Sequence, residues 1–336
     1  METVILDGNN RENIELCAEE IRRGGIVAFP TETVYGLGAN TLDEKAVTEI
    51  FAAKGRQQDN PLIVHVASPE DVEPLVLNIP DAFEVLARKF WPGPLTLILR
   101  KSEVVPGNVT AGLDTVAVRV PEHPVALALI RACGCPLAAP SANPSGRPSP
   151  TGAMHVKNDL DGRIRYILDG GDCRVGLEST VLDISGSVPR ILRPGGVTYD
   201  ELKGVLEFLE TDSPLETDAP RSPGMKYRHY APKAPMTAVL GPPEKTAEYI
   251  RSRVGIGTAA LMFDDFAIDH PCVVTFGVSG DHVTQAASLF GALRKLDDMD
   301  VSEIYAQTPT EDGLGCAVAN RLKKAAGQSV VDLGAE

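Results

Sequence analysis

The chain has 336 residues, 43% hydrophobic and 23% charged, enough apolar material for more than one ordinary soluble core. No apolar run approaches the roughly 18 residues of a membrane-spanning helix, and the opening METVILDGNN lacks a basic signal-peptide segment, so a cytoplasmic protein is expected. The formal charge is −14, with 29 acidic against 20 basic residues through position 210 and 17 against 12 beyond it. An acidic surface in both parts opposes broad, non-specific binding to nucleic acid, so any anion must be held in a local basic pocket.

In chain order, the first two hundred residues alternate between helical and strand patterns. Asn13 to Arg23 has helical periodicity and stops at Gly24-Gly25. Ile26 to Phe29 is a short strand ended by Pro30, and Leu42 to Lys54 is a helix with Ala46, Ile50 and Phe51 on one face. Leu62 to Val66, Leu95 to Leu99 and Thr115 to Val120 read as strands, Pro124 to Ala132 as a helix and Leu137 to Ala139 as a strand. Ser179 to Ile184 and Arg190 to Arg193 are late strands, and Tyr199 to Leu209 is expected to be a closing helix.

Composition changes after residue 210. Thr211 to Pro220 is dominated by Ser, Pro, Asp and Thr, as in a linker. Arg221 to Lys233 then carries four basic residues, two tyrosines and a histidine with no acid. Beyond it, strands are expected at Thr237–Leu240, Ala259–Phe263, Val273–Phe276 and Glu303–Ala306. Helices are expected at Glu244–Arg253, Val283–Leu296 and Leu314–Ala326, an alternation that predicts a small, mostly parallel α/β sandwich. The expected division is 1–210, a linker or lid at 211–235, and 236–336.

Several segments can carry chemistry. In Lys54-Gly-Arg-Gln-Gln-Asp-Asn-Pro, two cations flank a glycine at a helix end, where they either cap the helix or grip a polyphosphate. Pro140 to Ser149 runs from a strand into Ser, Asn, Gly and Pro, either a plain turn or a loop whose hydroxyls and N–H groups suit phosphate. Pro30 to Gly38 places hydroxyls and glycines just after a strand. Arg119 lies in an otherwise apolar strand, where an unpaired guanidinium is costly to bury, so it either faces a carboxylate or polar cleft or makes a structural salt bridge. His65, at a strand end, fits a structural histidine as well as a site residue. Six scattered cysteines without a C-x-x-C pair read as buried structural thiols and not as a zinc site. No P-loop, complete dinucleotide fingerprint or G-x-S-x-G elbow is present.

Taken together, these segments resemble the YrdC family of threonylcarbamoyl-AMP synthases. The resemblance is carried by FPTETVYGLGAN from Phe29, KGRQQDNPLIVHV from Lys54, FWPGPLTLIL from Phe90, VAVRVPEHP from Val116, APSANPSG from Ala139, GLESTVLD from Gly176 and ILRPGG from Ile191. SPGMKYRHYAPK from Ser222, with the α/β region after it, matches the longer two-domain form.

The resemblance implies a twisted mixed sheet flanked by helices with a concave cleft, plus a smaller C-terminal Rossmann-like α/β domain. It implies that L-threonine, bicarbonate and ATP become L-threonylcarbamoyladenylate and pyrophosphate, the first step of N6-threonylcarbamoyladenosine formation in tRNA. Lys54, Arg56, Ser141 and Asn143 are expected to carry the chemistry. Arg56, Asn60, Thr115, Ser141, Ser149, Arg193 and Tyr230 are expected on ATP. Thr33, His65, Arg119, Ser179 and the backbone at Ala139 are expected on L-threonine. Mg²⁺ is expected to ride on the ATP phosphates without a protein ligand set, and Ser222 to Lys233 to act as a lid. The product is expected to pass to the tRNA threonylcarbamoyl transferase machinery, with no stable nucleic-acid or membrane binding. A carbamoyl transferase of hydrogenase maturation shares a similar module but also carries paired-cysteine zinc motifs, which this sequence lacks. An RNA-binding module is opposed by the acidic balance.

Overall fold

A computed structural model describes residues 2–211 and 230–334 and gathers the first two hundred residues around one 11-stranded sheet. Its elements begin β1 (Val4–Asp7), α1 (Arg11–Arg22), β2 (Val27–Phe29), β3 (Gly36–Asn40), α2 (Glu44–Lys54), β4 (Ile63–His65), α3 (Asp81–Phe90), β5 (Leu95–Arg100) and β6 (Thr115–Arg119). They continue α4 (Pro124–Cys133), β7 (Leu137–Ala139), α5 (Ala153–Leu160), β8 (Tyr166–Asp169), β9 (Thr180–Asp183), β10 (Arg190–Arg193), α6 (Tyr199–Lys203) and β11 (Glu210–Thr211). The strand order is β1-β8-β2-β3-β7-β4-β6-β5-β9-β10-β11, with parallel and antiparallel pairs mixed.

Period-two alternation decides which side of this sheet is core. On one face Val64, Leu95, Leu97, Leu99, Val116, Val118 and Leu182 join Ile50 and Phe51 of α2 and Phe83 and Leu86 of α3. On the other face, α1 and α4 cover β2, β7 and β8 through Cys17, Ile21, Val125 and Leu129. Further along that face the apolar cluster consists of strand residues alone: Ile63, Ile98, Ala117, Val181 and Leu192. His65 and Arg119 share the parity of Ile63 and Ala117, and their strands pair in register with His65 opposite Arg119. The sheet thus has a helix-covered half and a half where polar side chains stand on a small apolar floor.

The sequence reading missed β3, because glycines at 36 and 38 weaken the strand signal. The reason for them is packing: a Cβ at Gly38 would come within 2.7 Å of the Phe29 ring. The helix expected over Tyr199–Leu209 stops at Lys203, where Gly204 forms the C-cap and the chain then turns toward β11.

The second unit consists of Tyr227–Glu336 together with two earlier stretches, Gly146–Ser149 and Val175–Leu177. Its described elements are β12 (Met236–Leu240), α7 (Pro243–Arg251), β13 (Thr258–Met262), β14 (Val273–Thr275), α8 (His282–Asp297), β15 (Glu303–Gln307), α9 (Gly315–Ala325) and β16 (Val330–Asp332). The strands form a 5-stranded, wholly parallel sheet in the order β14-β13-β15-β12-β16. The fold class is therefore the expected mixed sheet with a smaller parallel α/β unit. Of the expected lid at Ser222 to Lys233, residues through 229 lie outside the described residues.

Candidate functional site

At one end of β4, the site is assembled by α2. Asp43 caps this helix by accepting from the N–H groups of Lys45 and Ala46, and Gly55, at φ 61°, ends it in the left-handed conformation. This fixes Lys54 at the last turn on the buried face. Its ammonium does not cap its own helix. It donates to the carbonyls of Ser141 and Asn143, while the Lys54 carbonyl accepts from Ser145 N–H at 3.0 Å. Lys54 is thus a tether for the loop after β7. Desolvation, then the neighbouring charge of Arg56, pushes its pKa well below the usual lysine value. Arg56 donates through Nη2 to the carbonyls of Asn60 and Pro61 at 3.3 and 3.2 Å. Asn60 is buried, and its Oδ1 has no hydrogen-bond partner. Thr115 stands half-buried at the start of β6.

At the other end of β4, Arg119 is 3% exposed. Its Nε donates to the Gly93 carbonyl at 3.1 Å and its Nη1 to Thr33 Oγ1 at 2.9 Å. Its Nη2 stands 2.5 Å from Glu32 Oε1 in a buried ion pair. Thr33 in turn shares a 2.8 Å hydrogen bond with Thr31. Both sequence readings of Arg119 are thus compatible with the structure, since it has a salt bridge and also lies on the polar face. His65 Nδ1 has no hydrogen-bond partner, and the ring meets Phe29 edge-on with centroids 6.0 Å apart. Burial, then the charge of Arg119, lowers the His65 pKa to about 3, so the imidazole is neutral at working pH. Ala139 ends β7 opposite Ile63. Ser179, just before β9, bonds Thr96 at 2.7 Å and accepts from Arg193 Nη2, through its Oγ at 3.2 Å and its carbonyl at 2.9 Å.

The structure therefore brings the expected residues together in three groups: Lys54 with Ser141 and Asn143, Arg119 with Thr33 beside His65, and Arg193 with Ser179. Along β4, Ile63, which pairs with Ala139 before the Ser141 loop, and His65, which pairs with Arg119, lie about 7 Å apart at ~3.3 Å per residue. Ser149 and Tyr230 belong to the second unit. There the buried Tyr230 ring stacks on Phe290 at 5.1 Å, with the Arg321 guanidinium 5.6 Å from its centroid. Ser149 is buried next to Pro148, whose carbonyl accepts from Arg294.

Glu32, Thr31, Thr96 and the Gly93 carbonyl were missed by sequence reasoning. For Glu32 a signal existed: a buried Arg119 needs a counter-charge, and Glu32 is the only acid between Glu20 and Asp43. The six thiols are all free, and burial raises Cys17 and Cys133 to about 12, which makes them poor nucleophiles. Among the described residues no group of three His, Cys, Asp or Glu side chains is placed to hold a metal ion, and no helix is long and apolar enough to cross a membrane.

Two family models match the chain: Sua5/YciO/YrdC, described as telomere recombination, over residues 19–195, and threonylcarbamoyl-AMP synthase, C-terminal domain, over 197–327. A threonylcarbamoyl-AMP synthase of Pyrococcus abyssi is 48% identical, across 98% of this chain and 99% of that one. One of Bacillus subtilis is 46% identical, across 96% and 95%. The crystal structure of P. abyssi Sua5 complexed with L-threonine superposes with a TM-score of 0.93 at 47% identity, covering 98% of this chain and 100% of that one.

Proposed function

The chain belongs to the threonylcarbamoyl-AMP synthase family in its two-domain form, and from that premise we infer how its residues divide the reaction. The enzyme is a nucleotidyltransferase that turns L-threonine, bicarbonate and ATP into L-threonylcarbamoyladenylate, pyrophosphate and water, the first step of threonylcarbamoyladenosine formation in tRNA. The threonine amine and bicarbonate give a carbamate and water. A carbamate oxygen then attacks the α-phosphorus of ATP, and pyrophosphate leaves.

The observation that supports our assignment is the pairing of two unlike polar groups toward the two ends of β4, Lys54 on the loop after β7 and Arg119 with Thr33 beside His65. Such chemistry depends on alignment and on stabilising charge spread over phosphate oxygens, which asks for cations and directed donors. Arg119 offers a planar fork to the threonine carboxylate. Thr33, His65 and Ser179 surround the amino acid, with the Ala139 backbone beside them. Neutral His65 acts there as a hydrogen-bonding group and not as a charge. Thr33 or Ser179 bonds the substrate hydroxyl, and a site built that way rejects analogues lacking it.

Arg56, Asn60, Thr115, Ser141 and Arg193 take the nucleotide, with Lys54 and Asn143 holding the loop that faces it. Ser149 and Tyr230, in the second unit, are assigned to ATP on the family resemblance. The donor set of cations, hydroxyls and amides fits a Mg²⁺ carried by phosphates and water, with Asn60 Oδ1 as a neutral oxygen at hand. Bound in that way, Mg²⁺ supplies charge neutralisation on the phosphates. We assign residues 1–210 to catalysis, 211–235 to a linker that closes over the site, and 236–336 to the C-terminal domain. The protein is placed in the cytoplasm, handing its product to the tRNA threonylcarbamoyl transferase.

The test is pyrophosphate release by the purified protein with Mg²⁺ and ATP. Release that needs both L-threonine and bicarbonate, with a threonine-linked adenylate formed alongside, is the expected result. Threonine-independent release of inorganic phosphate would sink the assignment.

A further inference from the structure

We propose that Glu32 is a positioning residue for L-threonine: its buried carboxylate aims the Arg119 guanidinium at the amino acid's own carboxylate. This rests on the reading of Arg119 given above. The two side chains are 2% and 4% exposed and meet at 2.5 Å. A buried ion pair of this kind seldom stabilises a fold more than a well-packed apolar pair of the same volume. Stability is therefore a weak account of why a carboxylate stands there.

The hydrogen-bond pattern gives a better one. Arg119 has five N–H donors, and the Nε and Nη1 sides are anchored on the Gly93 carbonyl and on Thr33. Nη2 lies at ion-pair distance from Glu32 but makes no aligned hydrogen bond, and neither oxygen of Glu32 receives one. Glu32 thus holds the guanidinium by charge, and Arg119 still has N–H groups beyond those given to Gly93 and Thr33. Beside them, His65 Nδ1 is also buried without a partner. Buried polar atoms normally have hydrogen-bond partners, and unpartnered ones gathered on neighbouring side chains mark where a ligand completes the network. An α-carboxylate does so for the guanidinium, because it accepts two parallel N–H bonds. In this arrangement Glu32 touches no reacting atom. It keeps the fork turned toward the substrate before the substrate arrives, which lowers the ordering cost of binding.

The experiment compares steady-state kinetics of wild type, Glu32→Gln, Arg119→Lys and the double variant, with folding checked by thermal unfolding. Glu32→Gln keeps the volume and removes the charge. The expected result is a threonine KM raised about tenfold with the ATP KM within about twofold, and no further rise when Glu32→Gln is added to Arg119→Lys. Should Glu32→Gln be recovered unfolded, Glu32→Asp, which keeps the charge but shortens its reach, is read in the same way. An unchanged threonine KM in the folded variant, or an equal rise in both KM values, overturns the positioning role. Arg119→Lys with an unchanged threonine KM overturns instead the assignment of Arg119 itself, so the two failures are distinguishable.

Discussion

The two ends of β4 each bury a cation, and they treat it in opposite ways. Lys54 is fully desolvated against the neutral carbonyls of Ser141 and Asn143, next to the like charge of Arg56, and its protonated form is disfavoured. Arg119 is as deeply buried but has the Glu32 carboxylate beside it and two hydrogen-bond anchors. A lysine can lose its proton when burial becomes costly, whereas a guanidinium cannot and must be paired. The end we assign to threonine is therefore organised around a fixed charge, while the end we assign to the nucleotide is organised around a loop tether whose charge a nearby phosphate would favour.

Substitutions at the two ends should separate accordingly. The largest effect is expected for Arg119→Lys, which loses the fork: kcat/KM for threonine should fall about 100-fold, on the order of 2.7 kcal/mol, with the ATP KM little changed. Equal losses for both substrates would make Arg119 a scaffold residue. Next comes Lys54→Met, which releases the 141–145 loop. The ATP KM should rise about tenfold, near 1.4 kcal/mol, and threonine binding measured alone should persist. A threonine KM that rises instead would erase the contrast between the two ends.

A smaller effect concerns pH. The folded pKa of His65 is about 3, below its ordinary value of 6.5. Below pH 6.5 the unfolded chain takes up a proton that folded His65 refuses, so stability falls as pH drops from there toward 3, by up to about 1.4 kcal/mol per unit. His123, lowered chiefly by burial, acts in the same direction. Urea unfolding at pH 7 and pH 5 should show the loss in wild type and a shallower one in His65→Gln. Identical slopes would mean that the imidazole is solvated in the folded state.

Much of the first end was legible in the sequence because Lys54, Arg56 and Asn60 lie close together at a helix stop. Arg119 was legible for a different reason, as a charge in an apolar strand. Its partner was not, since Glu32 is 87 positions away and sits in a segment read only for its hydroxyls and glycines. The strand at Gly36–Asn40 was hidden by glycines that serve Phe29, a tertiary reason no local pattern shows. The helix at Asp81–Phe90 went unread, although Phe83, Leu86, Ala87 and Phe90 carry its period. Conversely, the helix expected to continue to Leu209 had enough apolar residues but ends at Lys203, next to Gly204, a weak helix former. In the second unit, the predicted elements end within about two residues of the observed ones, the uncertainty of any helix or strand boundary, because a parallel sheet buried on both faces uses long apolar runs. Only its last strand, Val330–Asp332, was passed over.

The most direct test of the contrast is calorimetric titration of L-threonine into the wild-type protein, Arg119→Lys and Lys54→Met, without nucleotide and at pH 6 and pH 8. The account predicts binding to wild type and to Lys54→Met that hardly changes between the two pH values, and binding to Arg119→Lys weakened by tenfold or more. Threonine affinity that survives Arg119→Lys, or that disappears with Lys54→Met, would contradict it.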